Sequence, residues 1–153
     1  DAQESRGLGD VYKRQDLTLA EIIASVMVFC YGFREFLRGF FWIKEQDDVL
    51  DDSSFYLALD NILPIWGWGI IVMLAGIIVI ISAIFVSSAD QNSNFSKFIL
   101  VGGFMSAILY FLMTSASIYH SINWLTTVHM GLMSATGFVV SYIGGADLYA
   151  RRK

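Results

Sequence analysis

The residues best able to do chemistry in this chain are few, and their surroundings make them conspicuous. Arg34, Glu35 and His129 each fall in a long apolar run. An ionisable group at membrane depth is costly, so it faces protein or water and marks a place where an ion, a ligand or a buried partner is expected. Counting residues along the runs puts all three in the outer third of a bilayer. Tyr31, Tyr110 and Thr114 lie near the same level, so the six could form one polar cluster. Two readings stand. In the first, the arginine is interfacial with its acid in the headgroups, while the histidine hydrogen-bonds between helices. In the second, the near-neutral titration of histidine and the fixed charge of arginine serve a proton-linked or anion-binding site. Arg34 and Glu35 are consecutive and project about 100° apart on a helix, which predicts different neighbours for each rather than a mutual pair.

Glu21 is a further candidate for an ion pathway. Ala20-Glu21-Ile22-Ile23 is similar to the first helix of the small multidrug resistance transporters, four-span proteins whose glutamate in that helix binds protons and cationic drugs. The resemblance covers those residues alone, and no function is carried over with it. Glu21 by itself reads as an acid in the first turn of a helix, favoured there by the helix dipole.

Enzyme chemistry finds little to stand on. No HExxH, glycine-rich phosphate loop, paired catalytic carboxylates or nucleophile elbow is present. His120 and His129 are the two histidines, one in a turn and the other about two turns into the next helix, a poor arrangement for axial ligation of one haem iron. The single cysteine, Cys30, excludes an intrachain disulfide, a multi-cysteine metal site and a CxxC redox pair. No metal and no cofactor are expected. Basic residues are scattered, so the chain has no footprint for nucleic acid. Asp147 and Arg151 have the spacing of a surface ion pair.

The elements that must position these residues are membrane spans. The chain of 153 residues is 56% hydrophobic, 15% aromatic and only 16% charged, against about 25% charged in soluble domains, so the bilayer reads as its solvent. Residues 62–86 run for 25 positions without an ionisable side chain, enough to cross roughly 30 Å of hydrocarbon with some tilt. Three more runs complete an all-α, polytopic four-helix transmembrane bundle, with spans at about 17–43, 62–86, 98–119 and 122–148. Asp16 or Thr18 is available to cap the first. That first run either stops near Phe33 and continues as an interfacial helix, or passes unbroken to Ile43 with snorkelling arginines; the unbroken helix is the expectation, because residues 36–43 stay mostly apolar.

Residues 44–61 form an acidic loop, in which Phe55, Tyr56, Leu57 and Leu59 suit a short helical turn on the membrane surface. Pro64 sits where a helix tolerates it, at the start of the second span. Residues 87–96 are a polar connection. Residues 4–15 resemble translated sequencing-adaptor read-through, so 1–15 is expected to be a non-native or disordered leader and 16–153 a single domain.

Close packing in lipid depends on small residues along one face. Gly69, Gly76 and Ala83 recur every seven residues. Gly103, Ala107 and Thr114 follow in the third span, and Thr127, Gly131, Ser134, Ser141 and Gly145 in the fourth. The expected environment is a bacterial inner (plasma) membrane, with the basic run 151–153 and both termini cytoplasmic by the distribution of Lys and Arg. The expected role is non-enzymatic: a small protein acting by association with other membrane subunits or with copies of itself, most readily as part of a transport complex. The alternative is a self-sufficient homo-oligomeric channel or small transporter using the polar cluster at its outer mouth.

Overall fold

A computed structural model describes residues 19–52, 54–86, 93–120 and 123–153. The expected cap at Asp16 or Thr18, the leader and residues 87–92 of the polar connection lie outside the described residues. The chain is all-α. In order, the helices are α1 (Leu19–Lys44), α2 (Gln46–Asp52), α3 (Ser54–Asp60), α4 (Ile65–Ile84), α5 (Asn94–His120) and α6 (Trp124–Ala150). No strand occurs among the described residues.

Each boundary has a local cause. Pro64 immediately precedes α4, where its missing N–H costs nothing, and Asp60 Oδ1 accepts the Ile65 N–H at 2.8 Å. Asn123 is extended and its side chain accepts the Thr126 N–H at 3.1 Å, which starts α6. α1 passes through Arg34, Glu35 and Arg38 without interruption, since none of them breaks a helix.

Two of the long helices, Ile65–Ile84 and Asn94–His120, are long and apolar enough to cross a membrane. α1 and α6 match them in length but are less apolar. Any 18-residue stretch of α1 takes in Arg34 and Glu35 together with Glu21 or Arg38. α6 lacks charge as far as Ala146, but glycine, serine and threonine occupy much of its length.

The helices pack in the order α1 on α4, α4 on α5, α5 on α6. α1 and α4 run antiparallel and meet on a repeat of seven. Gly32 faces Gly76, Gly39 faces Gly69, and Ser25 Oγ donates to the Ala83 carbonyl at 3.1 Å. A Cβ on Gly76 would stand 2.6 Å from both the Gly32 carbonyl oxygen and the Phe36 nitrogen, closer than carbon can come. No described glycine has a positive φ, so here glycine supplies space and not an unusual backbone.

The α5–α6 seam has the same antiparallel sense and a different filling. Ser141, Ser134 and Thr127 donate to the carbonyls of Leu100, Ala107 and Ser117 at 3.2, 3.0 and 3.1 Å. A Cβ on Gly103 would stand 2.8 Å from the Ser141 nitrogen. Of the expected packing positions, Gly131 and Gly145 are not tight. Their nearest neighbours, a Thr114 methyl and a Leu100 methyl, would lie 3.8 and 3.6 Å from an added Cβ. Gly137 and Gly144 occupy the close approaches instead, and Gly145, one residue beyond Gly144, is turned about 100° away from the contact.

The acidic loop is folded. α2 and α3 cover the end of the bundle where α1 and α5 finish and α4 and α6 begin. The short helical turn expected there forms as α3, and its Phe55 and Leu59 are buried among Trp42, Ile65 and Trp68 while Leu57 stays exposed. The Trp68 indole N–H donates to the Leu59 carbonyl at 3.0 Å, and Ser54 Oγ to the His120 carbonyl at 3.0 Å.

Candidate functional site

Just beneath this cap, α1 turns one face into the bundle. Tyr31, Glu35, Arg38 and Trp42 follow the i, i+4, i+7, i+11 spacing of a single helical stripe. Glu35 and Trp42 are completely buried. Opposite them on α5 stand Ser106 and Tyr110, both with no exposure.

The Tyr110 hydroxyl lies alongside the Glu35 carboxyl, and the Ser106 hydroxyl alongside Tyr31. In each pair the groups face one another without good hydrogen-bond geometry. Both Glu35 oxygens, the two tyrosine hydroxyls, Ser106 Oγ and the Trp42 indole nitrogen are buried without a hydrogen-bond partner. Such groups are rarely left unmatched in a protein interior, where each costs about 1–3 kcal/mol, so a concentration of them on one level is a functional signal.

Charge at the site comes from α1. Arg34 Nη1 lies 3.6 Å from Glu35 Oε1, so the two consecutive residues do approach each other, against the expectation of separate neighbours. The long guanidinium stem makes this possible: it bends back over its own helix while the head reaches across to α6, where it contacts His129 Nε2 and the Met133 sulfur. Arg38 stands one turn on, its guanidinium carbon 5.4 Å from the centroid of the Trp42 ring. The site thus presents two guanidinium groups for one carboxylate.

α1 and α6 do not pack closely as backbones. The side chain of Arg34 bridges them. Beside that bridge an open groove of about 400 Å³ is lined by Arg38, Tyr56, Asn123, Leu125, Thr126, His129 and Met130.

The structure therefore brings Tyr31, Arg34, Glu35, His129 and Tyr110 together. Thr114 is adjacent but turned aside: its hydroxyl donates to the Tyr110 carbonyl of its own helix at 2.6 Å. Glu21 is remote, in the first turn of α1 and fourteen residues, or roughly 20 Å along the axis, from Glu35. Arg38, Trp42, Ser106 and Met133 were not among the expected site residues. The stripe 31, 35, 38, 42 is the pattern that could have revealed the first two.

At the opposite end of the bundle, Asp147 accepts from Arg151 Nε at 2.6 Å, as its spacing predicts, and also from the Ser96 hydroxyl. No group of three or more His, Cys, Asp or Glu suited to a metal ion occurs among the described residues. Compared with family models, with curated proteins and with solved structures, the chain matches none.

Proposed function

We propose that the chain is a four-span integral membrane protein that acts by association, as a subunit of a membrane complex or with copies of itself. One observation carries this reading: large apolar side chains cover the outside of the bundle, while serine hydroxyls and a glutamate share its interior with apolar residues such as Val72, Ile99 and Met113. Leu37 and Phe41 on α1, Leu74 on α4, Phe104 and Phe111 on α5, and Leu132 and Val139 on α6 are all exposed. Ser82, Ser96, Ser106, Ser117 and Glu35 are buried almost completely. Apolar area left in water costs about 25 cal/mol per Å², and exposed apolar surface of this extent marks partners or membranes. Lipid tails remove that cost and leave small residues and hydroxyls to hold the helices together.

The reading gives α1 and α6 the same status as α4 and α5. Their charged residues lie on inward faces or near helix ends, which is where membrane proteins tolerate them. It also places the basic run 151–153 on the cytoplasmic side of a bacterial plasma membrane and the acidic cap of α2 and α3 on the other.

Cys30 offers a direct test, since it is the only cysteine and is exposed on α1. In intact cells and in inverted vesicles it is expected to resist a sulfonated maleimide and to react once detergent is added. Ready labelling from either aqueous side before detergent overturns the four-span reading. A cysteine at position 47 should label only from outside and one at position 152 only from inside.

The buried Glu35 cluster favours a second reading, a homo-oligomeric channel or small transporter that uses Arg34, Glu35 and His129. Flux through the reconstituted protein that is lost in Arg34→Ala and His129→Ala supports it. Flux indistinguishable among the three proteins removes it.

A further inference from the structure

We infer that the groove between α1 and α6 binds the phosphodiester headgroup of an anionic phospholipid, with Arg38 as the paired cation. The inference rests on the membrane reading above and adds a ligand to it.

Charge is the first argument. Arg34 is already engaged by Glu35, His129 and Met133. Arg38 forms part of the groove wall and sits over the Trp42 ring; it shares the field of Glu35 with Arg34, but no carboxylate lies within ion-pair distance of it among the described residues. A guanidinium presents a planar fork of donors matched to phosphate oxygens, and in a half-buried position it gains most from such a partner. Of the acids of the cap, Asp48 lines a separate recess with Phe41, Val49 and Tyr56. It is exposed to water, where its repulsion is screened within about 8–10 Å.

Donors are the second argument. Asn123 uses its side-chain oxygen to cap α6, which leaves the two N–H groups of the same amide for a ligand in the groove it lines.

The surroundings distinguish a lipid from a free anion. On α6, Leu125 and Val128 are 59% and 44% exposed, and on α1, Leu37 and Phe41 are 47% and 48% exposed. A phosphate held at Arg38 would therefore have apolar surface for acyl chains on both sides. Trp124, 74% exposed beside Asn123, and the pair Phe40-Phe41 mark this level as the interfacial belt, where headgroups lie.

Native mass spectrometry of the full chain in a mild maltoside, titrated with phosphatidylglycerol, phosphatidylcholine or inorganic phosphate, tests the site. The wild type is expected to retain one phosphatidylglycerol at concentrations where phosphatidylcholine is lost. Arg38→Gln should weaken that retention at least tenfold and Arg38→Lys should restore part of it. Asn123→Asp, which keeps a good helix cap but puts a negative charge in the groove, should weaken it similarly without affecting folding. Arg151→Gln, a basic residue at the far end, should leave it unchanged. Equal retention of the two lipids by the wild type overturns the inference, as does wild-type retention in both Arg38→Gln and Asn123→Asp. Displacement of phosphatidylglycerol by inorganic phosphate also overturns it, in favour of a free-anion site. None of these outcomes bears on the labelling of Cys30, so failure of the lipid site and failure of the membrane reading are separable.

Discussion

The α1–α4 and α5–α6 seams meet one requirement, close approach of antiparallel helices on a seven-residue repeat, with different chemistry. In α1–α4 the contact is made by removing side chains: Gly32 against Gly76 and Gly39 against Gly69 leave main chain against main chain. In α5–α6, hydroxyls at 127, 134 and 141 reach across to carbonyls of the neighbouring helix. An atom added to the first seam must displace a backbone. A hydroxyl removed from the second leaves a carbonyl that still has its own helical partner. The first seam should therefore fail abruptly, and the second should weaken by degrees.

The largest expected effect comes from filling the glycine seam. Gly39→Leu puts a branched side chain where a Cβ alone would stand 2.6 Å from the Met73 nitrogen, so the helices must separate. The cost should exceed about 4 kcal/mol, in the range where little folded protein survives. The measurement is the monodisperse fraction recovered after extraction. Wild-type recovery with an unchanged Tm would erase the contrast between the seams.

Next in size is the side of the bundle that neither seam closes. α1 and α6 are joined there by Arg34, which is also the cation beside buried Glu35. Arg34→Leu leaves that carboxylate without its nearer cation and should cost about 2–3 kcal/mol, below the roughly 3–5 kcal/mol typical of a broken buried pair because the guanidinium is itself 36% exposed. The double variant Arg34→Leu with Glu35→Leu should recover most of the loss in a thermal melt. A double variant as unstable as the single would show that the two residues are not coupled.

How far these features were legible in the sequence follows from the kind of information each needs. The four long helices were legible because apolar runs and the absence of breakers are local properties, and the ends came within a few residues. The heptad Gly69, Gly76, Ala83 was legible for the same reason. Its counterpart Ser25, Gly32, Gly39 has the same interval but was not singled out from the sequence, because a glycine in one helix shows a contact only when the partner is in view. Gly145 was chosen where Gly144 makes the contact, because adjacent glycines differ only in rotation and a single helix does not reveal where its neighbour stands. The meeting of Tyr31, Arg34, Glu35, His129 and Tyr110 was suggested by depth alone. Depth fixed their level but not their directions, so the bend of Arg34 toward Glu35 and the inward stripe through Arg38 and Trp42 needed the fold.

The hydroxyl seam sharpens the comparison from the weak side. Ser134→Ala removes the donor to the Ala107 carbonyl. On the proposed membrane reading, interhelical hydrogen bonds average about 0.6 kcal/mol, because the separated helices also find partners in lipid, and the loss should be of that size. A small, cooperative decrease in Tm with unchanged recovery is the expected result. A collapse like that of Gly39→Leu would mean that both seams are equally brittle.

The smallest effect is the most diagnostic. Gly131 lies on α6 between Thr127 and Ser134, in the same small-residue series, yet an added Cβ would have only the Thr114 methyl nearby, at 3.8 Å, an ordinary contact distance. Gly131→Ala should therefore change stability by less than about 0.5 kcal/mol, and the higher helix propensity of alanine pushes any change toward stabilisation. A thermal melt beside Ser134→Ala and Gly39→Leu places the three on one scale. If Gly131→Ala is as damaging as Gly39→Leu, small residues on α6 matter by type wherever they occur. If it is neutral, what matters is the facing backbone, and the α1–α4 seam is brittle because two main chains meet there.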